Sequence, residues 1–245
     1  MICENFAGLK NRVAKACKQI GRNPQEITIV AVAKTATIEM IKEVLDCGVI
    51  DIGENRVQDA KFKYNKLQTT NYKLQTIKWH MVGHLQTNKV KDAVAIFHLI
   101  HSVDSLRLAE KIDKEASRIK KKQAILLEVN TSGETSKFGL KPEDVIETVK
   151  QITNLNNISL KGLMTVAPIV DNQEKARPYF RRLRELKDEV NKLQTILRQA
   201  QDPERSRGTN YKLQILSMGM TDDFEVAIEE GSNMIRIGRA IFGQV

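Results

Sequence analysis

The stretch ITIVAVAKTATIEMIKEVLDCGVIDIG, Ile27 to Gly53, decides the architecture. Its opening run, Ile27 to Ala33, is continuously apolar and β-branched, which is how a strand reads when both of its faces are covered, as in a parallel sheet flanked by helices. Thr37 then offers a hydroxyl to cap the amphipathic segment that follows, and Gly48 ends it before a second apolar run, Val49 to Gly53. Strand, helix and strand in this order form a βαβ unit.

Working outward, the same rhythm fills the chain. Further apolar runs lie at Lys78 to Gly83, Phe97 to His101, Ala124 to Asn130, Ser159 to Val166, Leu213 to Met218 and Met234 to Gly238. Between them, Asp104, Lys141-Pro142-Glu143 and Thr221-Asp222 open helix candidates, and an extra helix, roughly Ile2 to Ile20, precedes the first strand. Eight strands, nearly all followed by a helix, predict a single-domain (β/α)8 TIM barrel. A doubly wound open sheet shares this rhythm and is the other arrangement it permits.

Two segments break the pattern. Thr70 to Gln75 (TNYKLQ) recurs as Thr209 to Gln214, and Asn65 to Thr69 (NKLQT) recurs as Asn191 to Thr195. Copies so irregularly spaced are not a solenoid, and the reading is that residues 65–77 and 191–214 are insertions. The polar RQAQDPERSRGTN within the second is expected to be a mobile loop on the face of the barrel opposite the active site.

With 245 residues, 41% hydrophobic and 28% charged, the chain has the composition of a globular protein with a substantial core. No apolar run approaches the roughly 20 residues of a membrane span, and the N-terminus lacks the basic and apolar segments of a signal peptide. Cys3, Cys17 and Cys47 form no CxxC pair and are expected as free thiols, with Cys47 a small buried hydrophobe; that favours a reducing compartment and a cytoplasmic location. The 39 Lys and Arg against 30 Asp and Glu, net +9, raise the question of nucleic acid. The basic clusters at 118–122 and 181–184 are interspersed with acids, as on solvated helix faces, and aromatics are only 5%, which argues against that partner.

In a barrel, chemistry projects from the C-terminal strand ends. The first run ends on Lys34, where an ammonium is costly to bury and desolvation favours the amine that forms Schiff bases. On position alone, Lys34 extending into solvent is an equal alternative. The eighth run brings Arg236 to the mouth and ends in Gly238-Arg239, and the seventh ends in Ser217-Met218-Gly219. Those turns are where barrels build phosphate sites from backbone N–H groups. A lysine after the first strand and an anion cradle after the last two describe an aldehyde-bearing phosphate, and pyridoxal 5′-phosphate (PLP) is the candidate cofactor.

AVAKT (Ala31–Thr35), IGENRVQDA (Ile52–Ala60), WHMVGHLQTNK (Trp79–Lys89), LLEVNTSGETSKFGL (Leu126–Leu140), GLMTVAP (Gly162–Pro168) and Leu216 to Gly243 together resemble the pyridoxal phosphate homeostasis protein family, the YggS/PROSC type. The resemblance covers nearly the whole chain. It implies a barrel similar to the N-terminal domain of alanine racemase, with a covalent aldimine between Lys34 and PLP. It places Asn55, Met164 and Met218 around the cofactor, Ser217, Gly219, Gly238 and the backbone of Arg239 on the phosphate, and Arg236 at the pyridine nitrogen. The family usually has threonine where this chain has Arg239; a hydroxyl contact is lost there, while the backbone N–H remains and the guanidinium is a partial substitute. The implied role is intracellular PLP homeostasis, holding and releasing the cofactor without established catalysis, as a monomer and with apo-PLP enzymes as recipients.

A PLP-dependent amino-acid racemase is the rival. Such racemases add a β-rich C-terminal domain, whereas this chain stops just after the eighth strand, and a cation opposite the ring nitrogen weakens the electron sink that carbanion chemistry uses. Metal binding is not expected: His80, His84, His98 and His101 lack any HExxH or cysteine context. Ser132 to Lys137 reads as a glycine-containing turn. Asp222 and Asp223 read as helix caps rather than catalytic carboxylates.

Overall fold

The computed structural model describes residues 1–69, 76–200 and 212–243. The strands are β1 (Thr28–Val32), β2 (Asp51–Glu54), β3 (Lys78–Met81), β4 (Leu99–Val103), β5 (Gln123–Glu128), β6 (Ile158–Met164), β7 (Ile215–Ser217) and β8 (Met234–Ile237). They are parallel and close in sequential order, β1 pairing with both β2 and β8. The closed barrel stands, and the open sheet is excluded.

The helices are α1 (Ile2–Gln19), α2 (Ile38–Asp46), α3 (Val57–Thr69), α4 (Val90–Ile96), α5 (Leu106–Arg118), α6 (Val145–Ile152), α7 (Arg177–Ala200), α8 (Phe224–Glu229) and α9 (Arg239–Phe242). Thr37 caps α2 as expected, its hydroxyl accepting from Met40 N–H. Ser105 rather than Asp104 caps α5. The Asp223 carboxylate turns backward, accepting from Met220 N–H at 2.6 Å instead of from its own helix. Both copies of NKLQT lie within helices, in the last turns of α3 and of α7. The first TNYKLQ copy and Thr209 to Tyr211 of the second lie outside the described residues, as does most of the polar segment expected as a loop.

Two apolar layers hold the barrel. Inside it, Val30, Leu99, Leu126, Met164 and Met234 pack together. Between strands and helices lies a larger layer that includes Trp79, Phe97, Phe180 and Phe224, all fully buried. Alternate residues of most strands serve one layer or the other, which explains the apolar runs. At β6 the ladder to β5 shifts register and Lys161 bulges out. Gly162 then lies so close to β7 that a Cβ there would be 1.9 Å from the Ile215 carbonyl oxygen.

One expectation fails. Cys3 on α1 and Cys47 after α2 form a disulfide, 44 residues apart in sequence with Cα atoms 5.5 Å apart, and neither is fully buried. Only Cys17 is a free, buried thiol. The spacing of cysteines along the chain carries no information about which helices pack side by side, and the reducing-compartment reading loses its support. Among the described residues no helix is long and apolar enough to cross a membrane.

Candidate functional site

Lys34 follows β1 on the alternation that points Val30 into the barrel, and its side chain extends, exposed, at the C-terminal mouth. The preceding residue is anchored from behind. The Ala33 N–H donates to Gly53 carbonyl at 2.8 Å, and its carbonyl accepts from Lys63 Nζ of α3 at 2.5 Å. Lys63 also donates to Glu54 Oε1 at 2.7 Å. Both members of that pair are buried, and burial raises the Glu54 carboxyl above its usual range while Lys63 opposes the shift.

Barrel closure brings β8 beside β1. Ala31 pairs with Ile237, and a Cβ on Gly238 would sit 3.4 Å from Val32 carbonyl oxygen, so the turn after β8 packs on the end of β1. Gly238 caps α9, its carbonyl accepting from the Ile241 and Phe242 N–H groups, both at 3.0 Å. Gly219 has φ +94°, and a Cβ there would meet Ala227 Cβ at 2.6 Å, so only glycine carries the chain through this turn. Its carbonyl accepts from Arg236 N–H at 3.0 Å, tying the two glycine turns together.

Arg236 is buried inside the mouth. One terminal nitrogen donates to the Ser217 carbonyl and to Ser217 Oγ, both at 2.7 Å, and the other donates to Thr165 carbonyl at 2.8 Å. Desolvation lowers its guanidinium to about 10, with Asp223 and Glu128 opposing, so it remains a cation at neutral pH. A chain of short bonds continues from it: Ser217 Oγ to His101 Nδ1, His101 Nε2 to His80 Nδ1, and His80 Nε2 to Asp51 Oδ1, each 2.9 Å. The Asp51 carboxylate can only accept, so a neutral His80 donates to it from Nε2 and accepts at Nδ1 from His101 Nε2. His101 Nδ1 then accepts the hydroxyl hydrogen of Ser217, whose oxygen accepts from Arg236. Every bond points from the Arg236 cation to the Asp51 anion. Burial first, then His80 and Arg236, hold His101 well below the ordinary histidine range, so it is neutral.

The remaining expected residues divide. Met164 ends β6 inside the barrel, while Met218 points outward into the barrel–helix layer and offers only its backbone to the mouth. Asn55 is half-buried and borders a cavity of about 550 Å³ with Arg56, His84 and Lys89, to one side of Lys34. Arg239 is exposed and ion-paired with Asp222, so its guanidinium is held on the rim. Ser217 Oγ is fully engaged by Arg236 and His101. His84 stacks on Phe138 at 3.8 Å between ring centres, joining the loops after β3 and β5.

Glu128, at the inward end of β5, drew no attention in the sequence, nor did the Asp51–His80–His101 chain. A carboxylate terminating an apolar strand was the available signal for the first. The second spans strands and has none. The residues present suit an aldehyde phosphate: a mouth amine, a buried cation beside two glycine turns, and a buried carboxyl oxygen, Glu128 Oε2, with no partner among the described residues.

Residues 6–245 match the family of the alanine racemase N-terminal domain, which is the class this barrel and mouth define. The fold likeness extends to alanine racemase of Clostridium difficile, at 15% identity and TM-score 0.69, over 99% of this chain and 57% of that one. The pyridoxal phosphate homeostasis protein of Aquifex aeolicus is 40% identical over 242 residues, covering 99% of this chain and 97% of that protein. The chain belongs to the pyridoxal phosphate homeostasis protein family. Among solved structures, PipY of Synechococcus elongatus matches 99% of this chain and 100% of its own, both without PLP (30% identity, TM-score 0.82) and with PLP bound (29%, 0.80).

Proposed function

We propose that this protein binds PLP at the C-terminal mouth, carries it as a Schiff base on Lys34 and releases it to apo-PLP enzymes, acting in PLP homeostasis rather than as a catalyst. The observation that carries this reading is the β1–β8 closure, which packs the Gly238 turn on the end of the strand that presents Lys34. When bound, PLP supplies an aldehyde for the Lys34 amine and a phosphate for backbone N–H groups after β7 and β8. Lys63 and Glu54 hold the backbone before Lys34 in place, and the exposure of Lys34 suits exchange with solvent and partners.

The carrier reading is favoured over racemisation by Arg236. A fixed, buried cation facing the ring nitrogen of bound PLP would disfavour its protonation and so weaken the electron sink. The experiment is the visible absorption spectrum of the purified chain with added PLP, for the unaltered protein and Lys34→Ala, with borohydride reduction and peptide mapping. A band that maps to Lys34 and vanishes in the variant is the expected result. No band, or one indifferent to the substitution, overturns the reading, and turnover of an amino acid would restore the racemase.

A further inference from the structure

Glu128 closes β5 on the alternation of Ala124 and Leu126, both of which pack inside the barrel, so its carboxyl points to the mouth. It is 9% exposed, and Oε2 is buried without a hydrogen-bond partner among the described residues. A buried polar atom left in that state is costly and calls for an explanation. Arg236 does not provide one: its terminal nitrogens donate to Ser217 and Thr165 instead. Asp104, after β4, adds a like charge, and it is itself engaged by Ser105 and His84.

We infer that Glu128 is a ligand-contacting residue whose carboxyl donates a hydrogen bond to an oxygen acceptor of the aldehyde phosphate. The inference rests on the PLP reading above. Such a ligand presents acceptors, oxygen atoms of phosphate, aldehyde and ring hydroxyl, which an ionised carboxylate would repel and a neutral acid can satisfy. Burial, and secondarily Asp104, raise Glu128 to about 7 against the opposing pull of Arg236, so the neutral acid is well populated near physiological pH. The residue is therefore both aimed at the mouth and able to donate there.

The test is equilibrium titration with PLP, read by absorbance on the full chain, for unaltered protein, Glu128→Gln and Glu128→Ala at about pH 6 and about pH 8. Contributions common to the three proteins cancel in the ratios of their affinities. Glutamine keeps a donor at every pH: the expectation is affinity equal to the unaltered protein at the lower pH and tighter binding at the higher. Alanine removes the donor, and binding should weaken roughly tenfold at the lower pH. A ratio between unaltered protein and Glu128→Gln that does not change with pH overturns the inference, and it decides alone should the alanine variant not fold. Equal binding by the alanine variant also overturns it. In both cases a Lys34-dependent band in the unaltered protein leaves the PLP reading standing, whereas its absence there removes both.

Discussion

His101 Nδ1 lies 2.9 Å from Ser217 Oγ, deep inside the barrel, and this contact joins Arg236 to the hydrogen-bonded chain that ends on Asp51. Because the Asp51 carboxylate can only accept, two neutral imidazoles in this chain each carry their hydrogen on Nε2. The Arg236 guanidinium is thus held by a polar chain that crosses β8, β7, β4, β3 and β2. The expected outcome is that nitrogen-15 NMR shows His80 and His101 as Nε2–H tautomers, with His101 failing to titrate near the usual 6.5. His101→Leu leaves His80 and Ser217 unsatisfied in the interior and should cost about 2–4 kcal/mol in chemical denaturation.

The pH dependence of stability follows from Glu128. Its carboxyl is raised from 4.5 to about 7, so folding is favoured while the acid is neutral and a penalty develops as pH rises from about 4.5 through about 7. Replacing it with glutamine removes an ionisation worth at most about 3 kcal/mol. Denaturant midpoints for Glu128→Gln and the unaltered protein should agree near pH 4, diverge between about pH 4.5 and about pH 7 and keep that difference above it, with the variant the more stable. Parallel curves across that range would mean the carboxyl is not held neutral.

Lys63 has two tasks, neutralising Glu54 and gripping the carbonyl before Lys34. Lys63→Met strands a buried carboxylate and should destabilise by about 3–5 kcal/mol. Adding Glu54→Leu should recover most of that loss in a double-mutant cycle. The attachment rate of PLP at Lys34 should stay impaired in the double variant, because the Ala33 carbonyl has still lost its donor.

The disulfide between Cys3 and Cys47 ties the N-terminal helix to α2 across 44 residues of chain. Cys47→Ser is expected to lose about 2–4 kcal/mol relative to the oxidised protein. Thermal melts with and without dithiothreitol check this: reductant should lower the unaltered protein to the level of the variant and leave the variant unmoved.

Turn glycines make a sharper structural test at the mouth. Gly219→Ala places a Cβ against Ala227 at φ +94°, and the cost should exceed 1 kcal/mol, about the penalty for backbone conformation alone. Binding of PLP should weaken with it, since the same turn accepts the Arg236 N–H.

The strand order, the added N-terminal helix and the mouth positions of Lys34, Arg236 and the two glycine turns were all legible in the sequence. Each is local: burial on both faces writes an apolar run, the inward alternation passes from Val30 to Lys34, and a glycine after a strand marks a turn. The sequence also carried the family, because its motifs are contiguous. What the tertiary structure alone decided is long-range. Closure set β8 beside β1; helix packing joined Cys3 to Cys47; the pleat turned Met218 outward and Glu128 inward. Asp51, His80, His101, Ser217 and Arg236 come from separate strands, and a hydrogen bond between side chains scores of residues apart leaves no periodicity in the chain. Only the curvature of a closed sheet brings such residues onto one axis, and there the low dielectric makes their order matter.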